Sequence, residues 1–143
     1  MICSVDPGAQ RTGVALLRVQ DDTTPELVGY WDVPGGPAGF TSWWAHKPDY
    51  DVLVVEDYIV RHGVHTDHLA LQTVGFLRAT EPKAIFQMPA GRKVMVSNDV
   101  LNRLGLYLTG NKNRNAIEAV RHTILYLRNQ HHIPTLRVGY PCV

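Results

Sequence analysis

One short apolar run constrains the fold of this chain more than any other feature of its sequence. Residues 52–55 are VLVV, an unbroken series of β-branched residues and leucine, and the acids Glu56 and Asp57 follow directly. Such a run is typical of a strand that is buried on both faces of its sheet, because a half-exposed strand alternates apolar and polar residues. The chain is therefore expected to be an α/β protein whose sheet is flanked by helices.

The N-terminal third predicts the rest of that sheet. Apolar residues 2–5 end at Asp6, the Pro7-Gly8 turn follows, and a second apolar run begins at Val14. With residues 26–33 these segments predict a three-stranded antiparallel meander. The strand ending at Glu56 and a short strand over 83–88 complete a five-stranded mixed sheet, in which three antiparallel strands precede two parallel ones.

Helical spacing and capping residues predict four helices. They cover residues 38–46, 67–80 after a Thr66 or Asp67 cap, 98–104 after a Ser97 cap, and 115–129. We expect the aromatic residues of the first helix in the core rather than on a base-stacking surface. Residues 90–96 are expected to be a loop or short turn, 105–114 a polar loop and 131–143 a peripheral tail.

Size and composition point to an ordinary globular protein. The 143 residues, 45% of them hydrophobic, suit one domain spanning residues 1–143. No apolar run approaches the roughly 20 residues that cross a bilayer, so no membrane partner is expected. The N-terminus lacks the pattern of a signal peptide, and Cys3 and Cys142 are expected to be free thiols. These features predict a cytoplasmic protein.

The charges are divided unevenly along the chain. Residues 1–81 carry 5 Lys and Arg against 11 Asp and Glu, whereas residues 82–143 carry 9 against 2. The net charges of −6 and +7 sum to the +1 of the whole chain. An acidic pocket for cations beside a basic face for phosphates fits a metal-dependent nuclease, although a basic face that is simply solvated remains the alternative.

Two acids are expected to meet at one edge of the sheet. Asp6 and Glu56 each end an apolar strand, and neighbouring strands would present them side by side, with Asp57 in a turn or capping position. Because adjacent buried carboxylates repel each other, a divalent cation is the usual compensation. The alternative for Asp6 is a polar strand end before a turn.

The last helix offers a third acid. Glu118 lies beside the apolar stripe that should pack on the sheet, and Asn115 and His122 share its face. A metal pocket would explain this placement, and a surface pair between Glu118 and Arg121 is the alternative. Carboxylates favour Mg²⁺ or Mn²⁺. The spacing of His62, His65 and His68 fits no familiar zinc site, so zinc is not expected.

Three segments together resemble a known family. They are DPGAQRTGVA after the first strand, VLVVED at the end of the buried strand and RNAIEAVRH on the last helix. In order and spacing they are similar to RuvC-type Holliday junction resolvases, particularly the short phage-encoded ones. The resemblance implies an RNase H-like fold, a homodimer, and two-metal cleavage of a four-way DNA junction, in the host-cell cytoplasm if the protein is phage-encoded.

The resemblance also implies a set of site residues. Asp6 and Glu56 match the first two acids of the family, Glu118 falls where the family usually has Asp, and Asn115 falls where it has Asp or His. These four residues are the implied catalytic and metal-binding set for two Mg²⁺ or Mn²⁺ ions. Because Asn115 brings no charge, Asn115→Asp is expected to preserve or raise activity.

Further residues are candidates for binding DNA. Arg92 and Lys93 precede the Ser97 helix, and Arg121 lies on the last helix, so these cations could contact phosphates. Tyr58 stands next to Ile59, which occupies the position of a family aromatic. His122 is expected to support Glu118 from one turn away or to be a packing histidine.

The expected activity is that of a crossover junction endodeoxyribonuclease acting on several branched DNAs. A nearby alternative is an RNA-processing nuclease, because DPGAQRTGVA is also similar to the YqgF group. A second alternative, prompted by Asn115, is a branched-DNA-binding module with weakened catalysis. An actin-like ATPase or sugar kinase is disfavoured because the chain is too short for two lobes.

Overall fold

The structure is a computed structural model that describes residues 1–58, 67–88 and 91–141, and within them a five-stranded mixed sheet forms the centre. The strand order is β3-β2-β1-β4-β5. Strands β1, β2 and β3 are antiparallel, whereas β4 runs parallel to β1 and β5 parallel to β4. The predicted sheet is therefore confirmed. Its strands are β1 (Ile2–Asp6), β2 (Arg11–Arg18), β3 (Glu26–Pro34), β4 (Val52–Glu56) and β5 (Ile85–Gln87).

Helices cover both faces of this sheet. One face packs against α1 (Gly36–Trp44) and α2 (His68–Thr80), and the other packs mainly against α5 (Arg114–Asn129). Val54 is fully buried in the core beneath α5, while Leu53 and Val55 are buried in the core of the opposite face. The unbroken apolar run thus has the predicted cause, since each of its alternating sides has its own core.

The long helix α5 lies very close to the strands beneath it. The Ser4 hydroxyl on β1 donates a hydrogen bond of 2.6 Å to the carbonyl of Ala119, and the Thr123 hydroxyl donates one of 2.8 Å to Ser4. A Cβ at Gly13 on β2 would lie 1.9 Å from the carbonyl oxygen of Asn115. Only glycine fits there, so the sequence itself permits the close approach of helix and sheet.

The predicted caps are confirmed, and the structure contains two helices that the sequence analysis did not predict. Asp67 caps α2 by accepting from two backbone N–H groups, and Ser97 caps α4 (Asn98–Arg103). The segment predicted as a loop contains the short helix α3 (Arg92–Met95), and the predicted tail contains α6 (Ile133–Gly139). Helix α6 forms because it packs against α4, a partner that local sequence patterns do not reveal. Residues 111–113 form a 3-10 turn within the predicted polar loop.

Cys3 is a free, buried thiol, as predicted, and Cys142 lies outside the described residues. Burial raises the pKa of the Cys3 thiol to about 12, so it stays protonated and packs as an apolar group. In the described part of the chain, no helix combines the length and apolar character needed to cross a bilayer.

Candidate metal centre

A row of mainly polar residues crosses the sheet where β1, β4 and β5 end. Asp6 is in register with Gly13, Gly13 with Asp32, and Glu56 with Gln87. Asp6 and Glu56 directly follow a pair of partners on β1 and β4, so they are neighbours across the parallel pair. Residues in register point to the same face of a sheet, and here α5 covers that face.

Three ligand-capable groups meet at the centre of this row. Nε2 of His122 on α5 lies 3.5 Å from Oε2 of Glu56 and 4.0 Å from Oδ1 of Asp6. One ligand atom from each residue lies within 4.8 Å of those of the other two, and all three residues are buried. The structure thus brings the two predicted strand acids together. It also places His122 directly against them, whereas the sequence suggested a supporting role beside Glu118.

The chemistry of these donors fits a divalent cation. Two carboxylates this deeply buried and this close together require positive charge or hydrogen-bond donors nearby. Carboxylate oxygens favour Mg²⁺ and Mn²⁺, whereas an imidazole nitrogen also suits Zn²⁺ and other transition metals. Asp6, Glu56 and His122, which we call the metal-capable group, could therefore hold a divalent metal.

The second nitrogen of His122 has a defined neighbour. The side-chain nitrogen of Gln87, the last residue of β5, lies 3.1 Å from Nδ1 of His122 and 3.1 Å from the backbone carbonyl oxygen of the same residue. Sequence reasoning missed Gln87. The available signal was its place at the end of a strand, as for Asp6 and Glu56.

Glu118 is not one of the three residues of this group. It precedes His122 by one helical turn and so shares its face of α5. Its Oε1 accepts a hydrogen bond of 3.3 Å from Nε of Arg121 and lies 3.9 Å from Nζ of Lys93. The pair with Arg121 that the sequence offered as the alternative is thus present, on the same side of the helix as the metal-capable group.

Asn115 is directed to a different acid. Its side-chain amide donates to both carboxylate oxygens of Asp32, at 3.2 and 3.1 Å. Asp32 lies two residues before the end of β3, and Nε of Arg11 also donates to it at 2.7 Å. The amide predicted as a fourth ligand is therefore engaged with Asp32, a residue that the sequence analysis did not single out.

Arg121 differs from its predicted role as a phosphate contact. Its side chain is only 7% exposed, and it donates to the carbonyl of Val96 at 2.5 Å and to the side chain of Asn98. Since these bonds occupy the guanidinium, Arg121 connects α5 to the start of α4. Lys93 is 69% exposed and remains accessible to a phosphate. The side chain of Arg92 lies outside the described residues.

Tyr58 connects two of the strand ends. Its hydroxyl donates a hydrogen bond of 3.1 Å to the carbonyl of Pro7, just after β1. Asp57 accepts from the backbone N–H of Tyr58 and from Arg78 on α2, so its side chain is engaged by its neighbour and by that helix. Of the three histidines considered for zinc, His68 is exposed at the start of α2. His62 and His65 lie outside the described residues, as does Ile59.

Comparison with known proteins bears on the fold. No family model matches the chain, and no curated protein matches it in sequence. Thermus thermophilus RuvC, solved in complex with a Holliday junction substrate, matches with a TM-score of 0.62 at 12% identity, over 92% of this chain and 96% of that one. Fowlpox virus resolvase, solved with Holliday junction DNA, matches with a TM-score of 0.56 at 15% identity, over 90% and 99%. The predicted RNase H-like fold and its likeness to RuvC are confirmed.

Proposed function

We propose that this chain is a divalent-metal-dependent endonuclease that cuts branched DNA, with the four-way Holliday junction as its main substrate. The observation that carries the proposal is the buried group of Asp6, Glu56 and His122 at the strand ends of a RuvC-like sheet. Two proteins with this fold were solved with Holliday junction DNA, which supports the choice of substrate class. Residues 1–143 would form one nuclease domain that acts in the cytoplasm.

The proposed ligand set differs from the one that the sequence implied. Asp6, Glu56 and Glu118 supply three carboxylates for two Mg²⁺ or Mn²⁺ ions, His122 lies against the first two of these acids, and Asn115 is engaged with Asp32 instead. Bound divalent ions supply a Lewis acid and lower the pKa of a bound water, which is the chemistry that phosphodiester hydrolysis needs. The protein fixes the acids by anchoring them on β1, β4 and α5.

Charge near the centre supports a nucleic-acid substrate. Lys93 lies beside Glu118 and is mostly exposed, and the C-terminal half that contains it has a net charge of +7. A phosphate drawn to this side would lie next to the carboxylates. We further propose a homodimer, because a junction has two equivalent strands to cut and a two-fold symmetric pair of sites matches them.

The test is cleavage of a matched set of substrates. Synthetic four-way junctions, three-way junctions, flaps, linear duplexes and a structured RNA are incubated with Mg²⁺, with Mn²⁺ or with a chelator. We expect metal-dependent cuts in the four-way junction, weaker cutting of the other branched DNAs and none of the duplex. Preferential cutting of RNA would favour the YqgF-like alternative. Binding of the junction without cleavage in either metal would favour the DNA-binding module.

A further inference from the structure

Gln87 is placed to control the chemical form of His122. It ends β5 in register with Glu56, and its side-chain nitrogen lies 3.1 Å from both the backbone oxygen and Nδ1 of His122. No step of the proposed hydrolysis uses this side chain. Its contacts nevertheless decide which nitrogen of the imidazole carries the proton.

The backbone carbonyl of His122 fixes which way the amide of Gln87 faces. A carbonyl oxygen can only accept, so the amide atom beside it must be the NH₂ group and not the amide oxygen. The same NH₂ group has a second hydrogen, and Nδ1 of His122 lies within its reach. Nδ1 therefore accepts a hydrogen bond, and the proton of the neutral imidazole is on Nε2.

That proton faces the two acids. Nε2 is the nitrogen that lies 3.5 Å from Glu56 and 4.0 Å from Asp6. A ring nitrogen that carries a proton has no lone pair available to a metal ion. For Nε2 to become a ligand, the proton would have to move to Nδ1, where the NH₂ group of Gln87 opposes it.

We propose that Gln87 is a positioning residue that sets the metal preference of the centre. By keeping the proton of His122 on Nε2, the nitrogen that faces Glu56 and Asp6, it leaves only oxygen ligands for the cation, which favours Mg²⁺ and Mn²⁺ over softer transition metals. The inference rests on the proposed function in one respect only, namely that these acids hold a divalent ion.

Replacement of Gln87 by glutamate is expected to move the proton of His122 to the other ring nitrogen. In Gln87→Glu the carboxylate can only accept, so it draws the proton to Nδ1 and makes Nε2 a ligand, as in the carboxylate–histidine–zinc arrangement. Gln87→Met removes the donor without adding charge and is expected to give a mixture of the two tautomers. Gln72→Glu adds the same charge at an exposed position on α2 and is the matched control.

The first readout is the tautomer of His122 in the metal-free protein. Long-range ¹H–¹⁵N spectra of histidine-labelled protein, with the His122 signals assigned from a His122→Asn variant, separate the two forms. We expect Nε2–H in the wild type and in Gln72→Glu, and Nδ1–H in Gln87→Glu. An Nδ1–H wild type, a wild type protonated on both ring nitrogens, or the same protonation of His122 in wild type and Gln87→Glu would overturn the proposal.

The second readout is metal binding without DNA. Calorimetry and the visible absorption of Co²⁺ should show that Gln87→Glu raises the affinity for Co²⁺ relative to Mg²⁺ by about 10-fold or more. An unchanged ratio of the two affinities in a folded Gln87→Glu would overturn the proposal. If Gln87→Glu does not fold, Gln87→Met is measured instead, and an unchanged ratio there would also overturn the proposal. Neither readout uses cleavage, so a protein that shows both effects yet cuts no junction would refute the proposed function and not this inference.

Discussion

At the scale of single residues, the centre depends on carboxylates that would repel each other without compensation. Asp6 and Glu56 are buried neighbours on adjacent strands, and His122 is fully buried against both of them. Asp6 and Glu56 are fixed by strands that have a buried core on either side, and His122 is fixed by the helix that covers one face of the sheet. Substitutions that keep the volume of a side chain but change its charge are therefore the most informative.

The first prediction concerns Asp6→Asn. Because the amide keeps the shape of the side chain but offers a weaker ligand, we expect cleavage of a four-way junction to fall by about 1000-fold, which corresponds to several kcal/mol of lost charge stabilisation. Binding of the junction in a gel-shift assay should stay within a factor of two or so of the wild type, because no phosphate contact is removed. Full cleavage by this variant would show that Asp6 holds no essential ion.

The second prediction reverses an expectation from the sequence. Asn115→Asp was expected to preserve or raise activity, but the amide of Asn115 donates to both oxygens of Asp32. A carboxylate there would face another carboxylate about 3 Å away, so we expect a loss of about 1–3 kcal/mol in the free energy of unfolding. Denaturant titration measures this loss.

The double variant Asp32→Asn/Asn115→Asp provides the control. It exchanges acid and amide, restores one donor between the two side chains, and should recover most of the lost stability. Equal stability of Asn115→Asp and the wild type would contradict the assigned hydrogen bonds.

At the scale of elements, sequence patterns were sufficient where a segment carries its own signal. The run at residues 52–55 predicted a strand buried on both faces, and Asp67 and Ser97 predicted two helix starts. Helix α6 was missed because its stability comes from packing against α4, a contact between segments that are distant in sequence.

The candidate site was likewise predictable only where a single segment carries its own signal. Asp6 and Glu56 could be paired because parallel strands end at the same edge. Whether Asn115 faces Asp6 or Asp32 depends on how α5 crosses the sheet, and the 3.6-residue period of a helix does not determine that crossing. For the same reason the burial of Arg121 could not be foreseen, since its partners Val96 and Asn98 belong to other segments.

The third prediction concerns a cluster that joins α1 to the end of α2. Glu81 accepts hydrogen bonds from Trp44 and Tyr50 and lies 3.1 Å from Nζ of Lys47. Burial raises the pKa of the Glu81 carboxyl, but these donors together outweigh burial and hold the pKa below its ordinary value of 4.5. The charged form is thus favoured in the folded protein.

The stabilisation from Glu81 is therefore present above its ordinary pKa and is lost as the pH falls through the lowered pKa of the folded state. We expect thermal unfolding between about pH 3 and pH 7 to show that the deficit of Glu81→Gln relative to wild type is largest near neutrality and shrinks in acid. A deficit that is constant across this range would contradict the assignment.

At the scale of the whole molecule, the two halves of the chain carry opposite charge. The acids of the metal-capable group come largely from the first half, and most of the cations come from the second. Helix α5 brings the second half onto the sheet formed by the first. The metal-capable group and the cation-rich half of the chain thus meet in one fold, the fold shared with RuvC.

The fourth prediction tests that surface. Lys93 is 69% exposed beside Glu118, so Lys93→Ala should weaken junction binding and lower the slope of log affinity against log salt by about one. Lys83→Ala is the control, because Lys83 is exposed before the start of β5 while the centre lies beyond its end. Equal salt slopes for Lys93→Ala and the wild type would contradict a phosphate contact at Lys93.

The location of a bound ion tests the central claim most directly. Crystals of the protein soaked in Mn²⁺, at a concentration that supports cleavage, would be measured at a wavelength where manganese scatters anomalously. The account predicts an anomalous peak in contact with the carboxylates of Asp6 and Glu56. Manganese bound only elsewhere, with no peak between these two acids, would contradict it.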